Sequence, residues 1–133
     1  MTRINCGIPP KELNNKHLFA EYREMKRIPN CIIKGRYSLK DAPKEFTLGK
    51  GHVKFFYDKL LYLKNRNNEL KDECLLRGIN ITDYSETYDN AILLFPNLAN
   101  DYTPSDIDRE IVRNRINERL NDIDIKKKIK INI

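Results

Sequence analysis

The sequence has no apolar run long enough to span a bilayer, and no apolar stretch near its start resembles a secretory signal. Both absences argue against a membrane-embedded or exported chain, so a soluble intracellular protein with no membrane partner is expected. Cysteine is scarce. Cys6, Cys31 and Cys74 are an odd number without CxxC spacing. They speak against a disulfide framework and predict free buried thiols in a reducing compartment. With His17 and His52, the only histidines, they also lack the spacing of a zinc site, so no metal is expected. No internal repeat or Gly/Ser-rich linker divides the chain, and strand signals are few. The 133 residues therefore read as one domain, 1–133, with one modest core and a basic tail from about residue 122.

What the sequence does have is positive charge. Lys and Arg number 25 against 19 Asp and Glu, a formal net charge of +6. A basic balance points to a polyanionic partner, most often nucleic acid. Asn, Ile and Lys, whose codons are A/T-rich, are also abundant, which offers a second origin for the lysines. Composition alone leaves both open.

Three helical blocks are predicted. The first runs from about Pro10 to Met25 or beyond, started by Pro9-Pro10, with a break or kink at Pro29. The second opens after Gly49-Lys50-Gly51 and stops near Arg77, before Gly78. Val53, Phe56, Leu60, Leu63, Asn67, Leu70 and Cys74 form its stripe at spacings of three and four. Asn67, the polar interruption, is either a solvated gap or a group facing a site. The third block starts at Thr103-Pro104-Ser105-Asp106, with Thr103 as cap and Pro104 in the first turn. Its apolar stripe is Ile107, Ile111, Ile116 and Leu120, and Arg109, Arg113, Arg115 and Arg119 decorate other faces. Residues 79–102 read as an irregular connection. The end, Lys126–Ile133, reads as a basic tail. The expected fold is all-α, a compact single domain of three main helices with the N-terminal segment passing between helices.

Two features carry chemistry. Met1 precedes a small residue, so its removal is expected, leaving Thr2 with a free α-amine beside Arg3. Such an amine titrates near pH 7.7–8.0, and its neutral form can attack a carbonyl carbon to make a Schiff base. On the first helix, His17, Ala20, Glu24 and Arg27 share one side, with Lys16 and Arg23 along its edge. Leu18, Tyr22 and Met25 face the core. Ala20 leaves room for another segment beside Glu24, and Thr2–Asn5 is the candidate. Glu24 suits a general acid/base that also stabilises a cationic sugar. Arg3, Arg23 and Arg27 suit phosphates. On the residues alone, the reading the pattern favours is a solvated face in which Glu24 pairs with neighbouring Arg residues.

Thr2-Arg3-Ile4-Asn5 and His17-Leu18-x-Ala20-Glu21-Tyr22-Arg23-Glu24 resemble the phage-type pyrimidine-dimer DNA glycosylases, also called phage-type endonuclease V. So do Leu48-Gly49-x-Gly51-His52-Val53-x-Phe55-Phe56-Tyr57-Asp58-Lys59-Leu60 and Glu73-Cys74-Leu75-x-Arg77-Gly78-x-Asn80-Ile81. The likeness thins, then returns at Asp101-Tyr102-x-Pro104 and around Arg115 and Arg119. It implies an enzyme acting on ultraviolet-damaged double-stranded DNA. In the family, the Thr amine displaces one base of the dimer through an imine, and β-elimination nicks the strand. Those roles carry over to Thr2 as nucleophile and Glu24 as the essential carboxylate. DNA-contacting positions would be Arg3, His17, Arg23, Arg27, Arg115 and Arg119, with Asn67 as a further candidate. Base flipping is implied, as base chemistry requires; no metal or organic cofactor is, and a monomer is expected. His52 reads as a structural histidine. The chain departs from the family in lacking Trp and an aromatic tail, in carrying Lys16 where an amide is usual, and in an extra residue before the first helix. Lesion preference is thereby left open between dimers, other damaged bases and abasic sites. A non-catalytic DNA-binding protein of the same fold is the alternative from another class.

Overall fold

The computed structural model describes the backbone of residues 2–131 and the side chains of residues 2–122. Met1, residues 132–133 and the side chains of 123–131 lie outside that description. With them lie the expectation for Met1 and the side-chain part of the basic tail.

The described chain is all-α. Its helices are α1 (Asn15–Met25), α2 (Arg27–Ile33), the short α3 (His52–Phe55), α4 (Leu60–Leu76), α5 (Ser85–Leu94) and the long α6 (Asp106–Ile131). Single 3-10 turns occupy Pro10–Glu12 and Pro96–Leu98.

The first block begins later than its prolines suggest. Pro9-Pro10 build only the 3-10 turn, and Leu13 then extends and buries. Asn14 restarts the chain as α1 by accepting the His17 N–H on its side chain at 2.8 Å. Pro29 falls in the first turn of α2, where a missing N–H removes no helical bond. The break predicted near it is the turn at Lys26.

The second block is split. Lys59 leaves the helical region, with φ −124° and ψ 44°, so the helix begun at His52 ends at Phe55. The chain turns over 56–59 and resumes as α4. From there the predicted stripe holds: Leu60, Leu63, Asn67, Leu70 and Cys74 are all buried. At the end of α4, Gly78 adopts φ +73°, so that its N–H reaches the Leu75 carbonyl and the Ile79 N–H the Cys74 carbonyl.

Residues 79–102 are more regular than expected. They contain α5, which packs on α4 and α2 through Tyr88 and Ala91. The third block is capped by Ser105, not Thr103. Ser105 Oγ accepts the Asp108 N–H (3.1 Å) and the Asp108 carboxylate accepts the Ser105 N–H (3.0 Å), a reciprocal box. The buried face of α6 is also shifted from the predicted stripe. Asp108 and Val112 are buried, whereas Ile107 is 68% exposed. The backbone of α6 continues helically into the basic tail as far as Ile131.

The N-terminal segment supplies part of the core. Ile4, Cys6 and Ile8 are buried, and each such isoleucine contributes about 1.5–3 kcal/mol by leaving water. The segment passes among α1, α3 and α6, as expected. Gly7, at φ +78°, lets it pass the start of α6: a Cβ there would meet the Pro104 Cβ at 2.7 Å and the Arg109 Cγ at 2.9 Å. The three thiols are free, but Cys31 is only partly buried.

Candidate active site

The site is built where the N-terminal segment crosses α1. The Thr2 hydroxyl donates to the Glu24 carbonyl at 3.4 Å. The Ile4 N–H donates to His52 Nε2 at 2.9 Å, and the Asn5 amide donates to Glu21 Oε1 at 2.8 Å. These contacts hold residues 2–5 along the helix face that Ala20 leaves low.

A cleft of about 260 Å³ opens beside this crossing. Glu24, Glu21, Ala20 and His17 line it from α1, Arg3 and Asn5 from the N-terminal segment, and Arg115, Ile116 and Arg119 from α6. Among the described residues, no hydrogen bond or ion pair engages the Glu24 carboxylate. The reading in which Glu24 pairs with neighbouring arginines is therefore not the arrangement seen.

Cations dominate the rim. Arg115 is held by the Asn5 side-chain oxygen at 2.8 Å. Burial lowers its pKa while Glu21 opposes that shift. Burial also lowers the His17 pKa, and Arg115 and Lys16 push it the same way. An imidazole so placed is neutral at physiological pH and offers one donor and one acceptor to a ligand.

Below the cleft lies a buried ion pair that the sequence reading did not identify. Arg66 of α4 reaches Glu21 through Nε (2.9 Å) and Nη2 (3.0 Å), and its Nη1 donates to the Ile8 carbonyl at 2.6 Å. The two side chains are 3% and 1% exposed. Burial opposes the Arg66 charge, but Glu21 outweighs it and holds its pKa up. Arg66, Glu21, Asn5 and Arg115 thus form one hydrogen-bonded chain from the core to the cleft. A signal for it existed: Glu21 lies on the apolar side of α1 with Leu18, Tyr22 and Met25, and Arg66 lies between Tyr62 and Leu70 on α4. Opposite charges on two otherwise apolar faces point to pairing.

The predicted site residues separate into groups. Arg3, His17, Glu24, Arg115 and Arg119 converge on the cleft, and Thr2 lies beside it with its hydroxyl on the Glu24 backbone carbonyl. Arg23 lies outside it, over the Phe19 ring at 5.5 Å, in a neighbouring groove with Lys16 and Ile79. Arg27 is exposed at the start of α2 and does not line the cleft. Asn67 is corrected outright. It is fully buried on the core face of α4, where a DNA strand has no access. Neither its amide nitrogen nor its oxygen has a partner among the described residues.

The arrangement can hold a polyanion against the cationic rim and present one carboxylate to it. Residues 1–87 match the family model described as pyrimidine dimer DNA glycosylase. That span contains Thr2, Arg3, His17 and Glu24 and covers more than half of the 133 residues. This chain therefore belongs to the pyrimidine dimer DNA glycosylase family.

Proposed function

We propose that this protein is a DNA glycosylase with abasic-site lyase activity on pyrimidine-dimer-containing double-stranded DNA. Once Met1 is removed, the Thr2 amine is the nucleophile. The carrying observation is the hydrogen bond that sets Thr2 on the Glu24 backbone carbonyl, beside a cleft lined by the Glu24 side chain, Arg3, Arg115 and Arg119.

The chemistry follows from those groups. The neutral amine attacks C1′ of the damaged nucleotide. The C1′–N bond to the base breaks, its electron pair leaves with the base, and the base takes a proton from solvent. Glu24 accepts a proton from the attached nitrogen and delivers it to the ring oxygen as the sugar opens, leaving a protonated imine. Glu24 then takes a C2′ proton. The electron pair forms a C2′–C3′ double bond and expels the 3′ phosphate oxygen, which cuts the strand. Water hydrolyses the imine and restores the amine. Throughout, the carboxylate offsets the positive charge on sugar and nitrogen. The arginines hold the flanking phosphates and confer salt-dependent affinity. Arg23 and Arg27, beyond the cleft, are proposed to meet the backbone further from the reacting sugar.

Borohydride trapping tests this on protein of verified N-terminal sequence. A covalent adduct is expected on both dimer-containing and abasic DNA. No adduct on either rejects the imine mechanism and favours a binding protein. An adduct on abasic DNA alone restricts the enzyme to lyase chemistry.

A further inference from the structure

His52 is buried on α3 and takes no part in the chemistry above. Its two ring nitrogens nevertheless meet two backbone groups of opposite character. Nδ1 lies 2.8 Å from the Thr47 carbonyl, which can only accept. Nε2 lies 2.9 Å from the Ile4 N–H, which can only donate. One protonation state satisfies both: the neutral ring with its hydrogen on Nδ1. The rings of Phe46 and Phe56 pack edge-on at 5.6 and 5.5 Å and hold the imidazole in that plane.

We propose that His52 is a positioning residue for the reaction: its neutral Nδ1–H form clamps the Ile4 amide and so sets where the Thr2 amine stands. The proposal rests on the imine reading above. Two residues of chain span at most about 7 Å, so an anchor at Ile4 limits directly where the nitrogen of Thr2 can lie. Displacement by about 1 Å can lower a rate about a hundredfold.

The clamp has a built-in acid limit. A protonated ring carries a hydrogen on Nε2 as well, which then confronts the Ile4 N–H, donor against donor. The groups facing the ring bias it toward neutrality. Burial is the largest influence and lowers its pKa; the Thr47 carbonyl opposes this, Arg115 of α6 lowers it further, and Glu21 of α1 raises it. Because the folded value lies below the ordinary 6.5, the unfolded chain binds the proton more readily. The clamp's stabilisation is therefore complete above about pH 6.5 and is lost as the pH falls below it.

The test is single-turnover borohydride trapping on abasic DNA for wild type, His52→Gln, His52→Asn and His52→Ala, with the folded fraction measured in parallel. Gln keeps an acceptor within reach of Ile4, whereas the shorter Asn keeps only the donor toward Thr47. Asn and Ala are expected to trap at least about tenfold more slowly while binding abasic DNA with wild-type affinity, and Gln to recover most of the loss. Equal trapping by the Asn and Gln variants overturns the proposal. If the variants do not fold, wild type decides. Protonation of the amine alone makes log rate fall with slope one below about pH 7.7. Below the His52 titration midpoint, read by NMR, the slope is expected to approach two. A slope that stays at one through that midpoint overturns the clamp. No adduct from wild type at any pH instead defeats the imine reading, and the clamp's reactive role with it.

Discussion

Glu21 and Glu24 stand one turn apart on α1 and serve opposite ends. Glu21 turns inward to Arg66 and Asn5 and is buried. Glu24 lines the cleft and has no side-chain partner among the described residues. One carboxylate is consumed in holding the structure, and the other is unpaired among the described residues. What separates them is their register against α4. Glu21 shares the face of Leu18, Tyr22 and Met25, which α4 covers, while Glu24 shares that of His17 and Ala20, which the N-terminal segment skirts. Two identical side chains on one helix thus receive different chemistry from packing alone.

The comparison can be broken most sharply at Glu24. Glu24→Gln is expected to reduce strand cutting and borohydride trapping by about 10²- to 10⁴-fold, while stability stays within about 0.5 kcal/mol. Wild-type cutting by this variant would remove Glu24 from the mechanism. Glu21→Ala is expected to act the other way round. It leaves Arg66 charged, buried and unpaired, which costs about 3–5 kcal/mol in urea unfolding. Replacing both partners with methionine should cost much less, since no orphaned charge remains. Equal losses from the single and double changes would show that packing, not charge, is what Glu21 provides.

Asn67 sharpens the same contrast, as a buried polar group without a partner. Asn67→Leu keeps the branch at Cγ while removing both unpaired polar atoms, and is expected to raise stability by about 1 kcal/mol. A loss instead would reveal a hydrogen bond to a buried water. The smallest effect belongs to the rim. Arg119→Ala should leave folding unchanged and reduce the slope of log affinity against log salt by about 0.9, the share of one phosphate contact. An unchanged slope would exclude Arg119 from the DNA interface.

Local features were legible in the sequence where one helix face met one environment. The stripe Leu60, Leu63, Asn67, Leu70 and Cys74 is buried as its spacing demands, and Leu18, Tyr22 and Met25 likewise. The spacing could not say whether Asn67 interrupts a wet stripe or a dry one, because a period records direction and not what lies opposite. It also missed α5, whose short apolar face ends against Pro96 and resembles a loop until α4 covers it. At the site, the passage of the N-terminal segment beside Glu24 was readable from the low Ala20 face and from family motifs. The role of Glu21 was not, because Arg66 lies 45 residues away and no local pattern joins them.

The sequence by itself determined the helical character, the basic charge, the family and the residues that could carry the chemistry. Periodicity, composition and motif are local, and the chain states them directly. Only the tertiary structure decided which carboxylate is buried in an ion pair and which is left unpaired among the described residues, and which arginines converge on the cleft. It alone decided that His52 holds the Ile4 amide across 48 residues of chain. Those outcomes depend on how separate helices meet, where burial and hydrogen-bond partners are assigned together.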